Sequence, residues 1–275
     1  MARPFIKWVG GKRQLLPALT QIIPAKIKMY YEPFVGGGAV FWHLAEEQRF
    51  EQAILNDANA ELVNLYMMVQ QFPDKLIETL QHHMTQEWNT QTYFTAIRAQ
   101  DPSSLGNISR AARFIYLNKT AFNGLYRVNK SGQFNAPFGR YTNPTLLDEA
   151  NLRACSQVLY KTTICCGDFV TVSQDAGPGD VVYFDPPYVP VNATSNFTSY
   201  TAGNFSLNDQ HRLALQAKIL VGKGATVLVS NSDTETTRMV YAGLEVYPVQ
   251  ARRNVNSKGD GRGCVGEVIL VGRPD

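Results

Sequence analysis

The chain has 275 residues, of which 44% are apolar and 18% are charged, and its formal net charge is +3. These values are typical of a folded protein with a full hydrophobic core, and they exclude a disordered chain. No apolar run approaches the length of a transmembrane helix, and residues 1–14 lack the apolar stretch of a signal peptide. We therefore expect a cytoplasmic protein without a membrane partner.

The first elements along the chain predict an α/β unit. A helix is expected over residues 13–22, and a strand over residues 29–33 leads into the glycines at positions 36–38. A helix over residues 39–47 and a short strand over 53–55 follow, and this strand ends at Asn56 and Asp57. Asp57 lies 19 positions after Gly38, close to the spacing at which an acid reaches ribose hydroxyls in nucleotide-binding folds.

The three consecutive glycines after Phe34 let a ligand approach the backbone closely, although glycines also serve ordinary tight turns. Their pattern is neither the spaced dinucleotide fingerprint nor a phosphate-binding loop. It therefore disfavours a nicotinamide cofactor and a nucleoside triphosphate. A nucleoside with a short, uncharged or cationic tail fits better.

The middle of the chain interrupts this alternation with helices and loops, including amphipathic patterns at residues 73–84 and 111–118. Residues 107–141 carry basic and aromatic side chains and no acid, which predicts a polyanion-binding surface with stacking rings. A solvated basic face is the simpler alternative. The residues concerned are Arg110, Arg113, Phe114, Tyr116, Lys119, Phe122, Tyr126, Arg127, Lys130, Phe134, Arg140 and Tyr141, and a second basic cluster comprises Arg252, Arg253, Lys258 and Arg262.

The last part of the chain returns to strands, predicted at residues 162–166, 181–184, 226–230, 244–249 and 265–271. Ser206 and Asp209 predict a capping box for a helix that ends near Gly222. The cysteines and histidines show no metal-ligand spacing, so no metal site is expected, and Cys165 and Cys166 are expected to be buried thiols. The simplest architecture is one α/β domain, residues 1–60 and 150–275, with an insertion over residues 61–149.

The strand at residues 181–184 ends at Asp185, Pro186 and Pro187, and Tyr188 follows. Open α/β sheets bind ligands at the carboxyl ends of their strands. Because proline has no N–H, this turn presents carbonyl oxygens and the Asp185 carboxylate without neighbouring donors. Such a site fits a planar group with an exocyclic amine that stacks on Tyr188. The alternative is a strand ended by a Pro-Pro turn, with Asp185 as an ordinary surface acid.

Several ordered motifs together resemble the Dam-type S-adenosylmethionine-dependent DNA adenine N6-methyltransferases over essentially the whole chain. They are KWVGGK at residues 7–12, EPFVGGG at 32–38, NDAN at 56–59, LNKTAFNGLYRVNKSGQFNAPFGRY at 117–141, DPPY at 185–188, SNFTSYT at 195–201 and VSNSDT at 229–234. The resemblance implies a mostly parallel Rossmann-like methyltransferase sheet with one antiparallel strand. It also implies a catalytic domain at residues 1–60 and 150–275, and an inserted, mainly helical DNA-recognition domain at residues 61–149.

The resemblance further implies S-adenosyl-L-methionine as the cofactor, double-stranded DNA as the partner, a monomer, and nucleoid association through DNA. The cofactor positions that match the family are Trp8, Gly10, Lys12, Phe34, Gly36, Gly38, Asp57, Asp168, Phe169 and Asp185, and the catalytic positions are Asp185, Pro186 and Tyr188. The matching DNA-reading positions, which imply a GATC target, are Lys7, Phe122, Asn123, Leu125, Arg127, Pro137 and Tyr141. The basic residues Arg252, Lys258 and Arg262 are expected to hold phosphates.

Phe122 stands where tyrosine is common in the family, so a ring is kept and a hydroxyl is lost. The implied reaction is an in-line attack of the adenine N6 amine on the sulfonium methyl group, after the base has left the duplex. One alternative is the same enzyme class acting on RNA adenine, cytosine N4 or protein glutamine. Another is a catalytically inactive, sequence-specific DNA-binding protein, and a nicotinamide oxidoreductase is a more distant possibility.

Overall fold

The computed structural model describes residues 2–8, 10, 12–129, 131–191, 205–252 and 264–274. Its helices and strands alternate in the first and last parts of the chain, and helices dominate the middle. The strands are β1 (Ile27–Glu32), β2 (Phe50–Asn56), β3 (Thr162–Cys165), β4 (Val181–Phe184), β5 (Thr226–Ser232), β6 (Glu245–Arg252) and β7 (Cys264–Gly272). The helices are α1 (Leu16–Ile22), α2 (Ala39–Glu46), α3 (Ala60–Gln71), α4 (Pro73–His83), α5 (Gln91–Ala99), α6 (Asn107–Thr120), α7 (Glu149–Leu159), α8 (Phe169–Ser173), α9 (Leu207–Gly222) and α10 (Glu235–Val240).

The strands form one seven-stranded sheet in the order β3-β2-β1-β4-β5-β7-β6. Strand β1 pairs in parallel with β2 and β4, and β2–β3 and β4–β5 are also parallel pairs. Strand β7 runs antiparallel to both of its neighbours, β5 and β6. The expected Rossmann-like sheet with one antiparallel strand is therefore confirmed.

Strands β1 and β4 lie side by side, but the chain leaves them in opposite directions across the sheet. It passes from β1 outward to β2 and β3, and after β4 it passes outward to β5 on the other side. Such a change of direction opens a crevice at the carboxyl ends of the two central strands, where ligands of α/β proteins bind. The glycine run follows β1, and the segment from Asp185 to Tyr188 follows β4.

Helices cover both faces of the sheet, which explains why the central strand β4 is apolar throughout. Tyr30 belongs to a hydrophobic cluster that also contains Leu19 of α1 and Phe41 of α2. The next residue, Tyr31, points to the other face and joins a cluster with Phe169 of α8 and Leu213 of α9. This alternation along β1 is the two-residue period of a strand that is buried on both sides.

The segment between β2 and β3 contains α3 to α7 and packs into the same interior as the sheet. Leu80, Phe94 and Tyr116 from this segment belong to the hydrophobic cluster that contains Tyr30 and Leu55 of the strands. The insertion therefore shares its core with the sheet. The domain boundaries at residues 60 and 150 stay a prediction.

Local sequence signals predicted several elements well. Ser206 and Asp209 form the expected capping box, and α9 ends at Gly222 as predicted. The helix predicted from residue 13 begins as an α-helix only at Leu16, after a short 3-10 turn over Lys12–Gln14. The expectation of two buried thiols was wrong, because Cys165 at the end of β3 is only half-buried and Cys166, which follows the strand, is exposed. No helix in the described ranges is long and apolar enough to cross a bilayer.

Candidate active site

The glycine run forms a tight turn between β1 and α2, and the side chain of Trp8 lies against it. Gly36 and Gly38 have φ angles of +49° and +66°, a region that favours glycine. A Cβ atom on Gly36 would lie 2.6 Å from the Trp8 ring, and one on Gly38 would lie 2.8 Å from the Tyr66 hydroxyl. The close approach to the glycine backbone that the sequence predicts is thus made by the protein's own aromatic side chains.

Asp57, at the carboxyl end of β2, stabilises this turn through hydrogen bonds. Its Oδ2 atom accepts a hydrogen bond from the Gly36 N–H at 3.1 Å, and its Oδ1 atom accepts one from the Asn59 N–H at 2.9 Å. Burial raises the pKa of the Asp57 carboxyl above its ordinary value. The neighbouring Asn56 amide donates to the carbonyls of Pro33 and Gly167, so the ends of β1, β2 and β3 are held together.

Three aromatic rings cluster at the carboxyl edge between β1 and α8. The rings of Phe34 and Phe169 are 5.5 Å apart, and Phe205 lies 5.7 Å from Phe34 and 5.9 Å from Phe169. Asp168 accepts a hydrogen bond from the Val170 N–H and an ion-pair contact from Arg212 at 2.9 Å. The structure therefore brings Phe34, Asp168 and Phe169 together, and it adds Phe205 and Arg212, which the sequence did not indicate.

The carboxylate of Asp185 forms an ion pair with Lys12. Lys12 Nζ lies 2.8 Å from Asp185 Oδ2, and the two side chains are only 9% and 20% exposed. The same ammonium donates to the Gly10 carbonyl at 2.5 Å and lies 4.8 Å from the centroid of the Tyr188 ring. Gly10 has a φ angle of +81°, a conformation that glycine adopts without strain.

The other carboxylate oxygen, Asp185 Oδ1, is buried and has no hydrogen-bond partner among the described residues. Burial raises the pKa of the Asp185 carboxyl to about 6, and the charge of Lys12 opposes that rise. Glu32, at the end of β1, is buried, and its pKa is raised to about 8 by burial, with the charge of Asp185 adding to the effect. Its Oε2 atom accepts hydrogen bonds from the Tyr30 hydroxyl and the Phe41 N–H.

Tyr188 extends from the segment after β4 toward the antiparallel strand β7. Its hydroxyl donates a hydrogen bond to Glu267 Oε2 at 3.3 Å, and burial raises its pKa well above the ordinary value. Glu267 was missed by the sequence analysis, although an acid within the apolar run of β7 is a signal that could have found it. In the described portion of the chain, no group of three His, Cys, Asp or Glu side chains could hold a metal ion.

A second group of predicted residues forms what we call the recognition surface, made of Lys7, Phe122, Asn123, Pro137 and Tyr141. Lys7 Nζ lies 4.9 Å from the Tyr141 ring centroid, and the Tyr141 hydroxyl accepts a hydrogen bond from the Asn123 N–H at 2.7 Å. The Phe122 N–H donates to the Pro137 carbonyl at 2.8 Å. The Phe122 side chain is 50% exposed, and Asn123 has a φ angle of +55°.

Arg127 lies apart from this group on a short hairpin, where Val128 pairs with Phe134. Its Nε donates to Asn135 Oδ1 at 2.7 Å, and its Nη2 donates to the Asn135 carbonyl at 3.0 Å. Leu125 is half-buried and packs against the core. Only the backbone of Arg252, in β6, is described, and Lys258 and Arg262 lie outside the described residues.

The prediction of a polyanion-binding surface over residues 107–141 is wrong for part of that segment. Arg113 is buried and donates to the carbonyls of Ile97 and Arg98, and Arg110 pairs with Glu61. The acid that balances Arg110 comes from α3, so the composition of the segment alone did not reveal it. The aromatic residues Phe114, Tyr116 and Phe134 are buried and are unavailable for stacking on a base.

The hairpin and the glycine turn are connected through Trp8. The Trp8 and Tyr126 rings stack at 5.8 Å, and Tyr126 stacks on Phe114 at 4.6 Å. Since Trp8 also lies against Gly36, one stack of rings runs from the glycine turn to the residue that precedes Arg127.

Comparison with known proteins identifies the family to which this chain belongs. Residues 8–255 match the family described as D12 class N6 adenine-specific DNA methyltransferase. The chain belongs to this family. It is 41% identical to the type II methyltransferase M1.LlaDCHI of Lactococcus lactis subsp. cremoris, over 98% of this chain and 95% of that protein. It is 41% identical to the type II methyltransferase M.MjaIII of Methanocaldococcus jannaschii, over 94% of this chain and 95% of that protein. It is 36% identical to the DNA adenine methylase of Escherichia coli (strain K12), over 99% of this chain and 96% of that protein.

Membership of the D12 class makes the protein an adenine-specific DNA methyltransferase and confirms the family that the motifs indicated. The roles of individual residues stay predictions. For this class of enzyme, the structure adds Glu267 beside Tyr188, Arg212 beside Asp168 and Asn135 beside Arg127. The first two pairs join residues that are distant in the chain, and the third lies within one hairpin.

Proposed function

We propose that the protein transfers the methyl group of S-adenosylmethionine to N6 of adenine in double-stranded DNA at GATC sites. The observation that supports this most directly is the buried Asp185 Oδ1 atom, which has no partner within the described residues. A buried acceptor of this kind is costly unless a ligand supplies its hydrogen bond. The exocyclic amine of adenine is such a donor, and the Pro186 carbonyl is available for its second hydrogen.

The charges and side-chain types at the carboxyl ends of β1, β2 and β4 suit S-adenosylmethionine. Asp57 retains lone pairs beyond the two that its backbone hydrogen bonds use, which suits ribose hydroxyls. Phe34 is half-buried and offers an apolar face for a purine, with the buried Phe169 packed against it, and Asp57 and Asp185 favour a cation. We propose that the cofactor is held by Trp8, Gly10, Lys12, Phe34, Gly36, Gly38, Asp57, Asp168, Phe169 and Asp185. When bound, S-adenosylmethionine would supply an electrophilic methyl group on a sulfonium, with the carbon–sulfur bond breaking, S-adenosylhomocysteine leaving and the methylated amine losing one proton.

In this proposal, the Asp185 carboxylate and the Pro186 carbonyl each accept a hydrogen bond from one N–H of the N6 amine. These hydrogen bonds reduce the resonance of the nitrogen lone pair with the purine ring, so the amine becomes a better nucleophile. Lys12 supports the reaction by keeping Asp185 ionised and by fixing the Oδ2 atom, which leaves Oδ1 for the substrate. Tyr188 receives the face of the purine, while its hydroxyl donates to Glu267.

A paired adenine hides its N6 amine, so the base must leave the duplex to reach Asp185. Phe122 and Asn123 project from the recognition surface and are our candidates for filling the gap in the duplex. Arg127 is the candidate reader of guanine O6 and N7, because its guanidinium edge away from Asn135 keeps two N–H donors. Lys7, Leu125, Pro137 and Tyr141 complete the proposed reading set, and Arg252, Lys258 and Arg262 are proposed to bind phosphates.

The test is a transfer assay with tritiated S-adenosylmethionine on a GATC duplex, a duplex with the site scrambled, an RNA and a protein substrate. We expect label only in the GATC duplex, and we expect DNA from expressing cells to resist a nuclease that methylation at GATC blocks. Asp185→Ala should abolish transfer while calorimetry still detects cofactor binding. Near wild-type turnover by Asp185→Ala would end the proposed role of Asp185, and transfer to the scrambled duplex would end the GATC assignment.

A further inference from the structure

The segment that carries the proposed catalytic residues has no regular backbone hydrogen bonding. After β4 ends at Phe184, the backbone of residues 186–190 makes no hydrogen bond to the backbone of any other described residue. Three of these residues are prolines, which have no N–H to donate. The position of Tyr188 must therefore be set by contacts with side chains.

Two buried amide side chains make those contacts on either side of Tyr188. Gln210 Nε2, on α9, donates to the Pro187 carbonyl at 2.8 Å. Asn231 Oδ1, on β5, accepts a hydrogen bond from the Val189 N–H at 2.9 Å. One amide thus holds the carbonyl just before Tyr188, and the other holds the N–H just after it.

These two amides also hold each other in a fixed orientation. Asn231 Nδ2 donates to Gln210 Oε1 at 3.1 Å, and the Tyr241 hydroxyl donates to the same oxygen at 2.7 Å. Asn231 Oδ1 also accepts the Ser232 N–H at 2.9 Å. Every polar atom of both amides therefore has a partner, and neither amide can flip without losing hydrogen bonds.

Burial makes this network a rigid one. Gln210 is 3% exposed and Asn231 is fully buried, and Tyr241 is buried beside them. A fully satisfied polar network in the interior specifies one arrangement, because each broken bond leaves a desolvated group without a partner. By contrast, the hydrogen bond between Tyr188 and Glu267 is long, at 3.3 Å, and involves a side chain that is only partly buried.

We propose that Gln210 and Asn231, oriented by Tyr241, are positioning residues that set the placement of Tyr188 and of the Pro186 and Pro187 carbonyls for methyl transfer. This inference rests on the proposed function, because it assigns the residues that act through the proposed catalytic segment. Displacement of reacting groups by about 1 Å can cost about a hundredfold in rate. Loss of either amide should therefore lower the rate of the chemical step and leave substrate binding largely unchanged.

The experiment compares the wild type with Gln210→Met, Tyr241→Phe, Asp185→Ala and Gln70→Met in single-turnover methylation of a GATC duplex. Enzyme and S-adenosylmethionine are both in excess, and rates are expressed per folded, cofactor-binding molecule. Gln70 is the matched control, because its amide also donates to backbone carbonyls, those of Leu159 and Thr162, at the opposite edge of the sheet. Urea unfolding and the dissociation constants for cofactor and duplex are measured for each variant.

We expect the single-turnover rate to fall by about tenfold to a hundredfold in Gln210→Met and by severalfold in Tyr241→Phe, with both dissociation constants within about twofold of wild type. Gln70→Met should lose stability and keep its rate. A wild-type rate in Gln210→Met would overturn the inference. If Gln210→Met does not fold, a wild-type rate in Tyr241→Phe would overturn the inference. The inference would also be overturned if Gln70→Met lost as much rate as the Gln210 and Tyr241 variants. Failure of the proposed function is a separate outcome, since the wild type would then transfer no methyl group to the duplex.

Discussion

The ammonium group of Lys12 lies 2.8 Å from Asp185 Oδ2, and the other oxygen of that carboxylate has no partner in the described part of the chain. Lys12 therefore pairs with Oδ2 of the carboxylate and leaves Oδ1 able to accept a hydrogen bond from a ligand. Its charge also opposes the effect of burial on the Asp185 pKa. We therefore expect methyl transfer to depend on pH through this pair.

We expect kcat/KM for methylation to fall below about pH 6, because the pKa of Asp185 is about 6 and only the ionised carboxylate accepts both the Lys12 and amine hydrogen bonds. Lys12→Met removes the cation that lowers this pKa, so the acidic limb of the profile should move to higher pH. Rates measured from about pH 5 to 9 would show the shift. Lys28→Met, at the amino end of β1, should keep the wild-type profile, and an unmoved limb in Lys12→Met would contradict the assignment.

Glu32 predicts a pH-dependent stability. Its folded-state pKa of about 8 lies above its ordinary value of 4.5, so the folded protein holds this proton more tightly than the unfolded chain. The resulting stabilisation is complete below pH 4.5 and is lost as the pH rises through 8. Glu32→Gln keeps an acceptor for Tyr30 and Phe41 without the charge. Its free energy of unfolding should exceed that of wild type by about 2–4 kcal/mol near pH 9.

Urea denaturation at several pH values would measure this difference, which should vanish toward pH 5. The exposed Glu46→Gln provides the control and should change the free energy of unfolding by less than about 0.5 kcal/mol at every pH. Equal stability of Glu32→Gln and wild type at high pH would show that Glu32 is not a source of the pH dependence.

The hydrogen bonds between Arg127 and Asn135 predict how base discrimination is built. Arg127→Ala should lower the discrimination at one guanine by about 1–3 kcal/mol. Asn135→Ala should lower the discrimination at the same base pair by a smaller amount, because the hydrogen bond from Arg127 to the carbonyl of residue 135 remains. Binding to duplexes with single substitutions would measure both. Lys258→Ala should instead weaken all duplexes equally and lower the salt dependence. The same pattern in all three variants would refute the division into base readers and phosphate binders.

Gly36 predicts a coupling between the glycine turn and cofactor binding. Alanine at this position would be strained by the positive φ angle and would place its Cβ 2.6 Å from the Trp8 ring. We expect Gly36→Ala to weaken S-adenosylmethionine binding by about tenfold in calorimetry, with a loss of about 1–3 kcal/mol in stability. Gly243→Ala is the matched control, since Gly243 has a φ angle of +97° and its nearest neighbour would be 3.9 Å away. Equal affinities in the two variants would contradict the coupling.

The sequence predicted the parts of this fold that depend on neighbouring residues. The strand before Asp185, the capping box at Ser206 and the acid after β2 are set by local patterns, and the structure places all three as expected. The motif resemblance then supplied the family, because motif order is a property of the whole chain.

The sequence could not reveal contacts that the fold makes between distant segments. Lys12 was expected in the cofactor pocket, but its ion pair with Asp185 depends on how the turn before α1 packs against the end of β4. Glu267 reaches Tyr188 only because β7 inserts antiparallel between β5 and β6. Arg113 looked like a surface charge because its partners are backbone carbonyls, which composition does not show.

The shared interior of the insertion and the sheet has a practical consequence for protein engineering. Helix α6 contributes Phe114 and Tyr116 to the same hydrophobic cluster as Tyr30 and Leu55, whereas Phe122 and Arg127 are exposed. A chimera that exchanged the whole of residues 61–149 would therefore import side chains that do not match the recipient interior. Exchanging only the exposed side chains within residues 121–141, such as Phe122 and Arg127, while keeping Tyr126 and the buried Phe134, should change the preferred DNA target and leave the folded framework of the recipient intact.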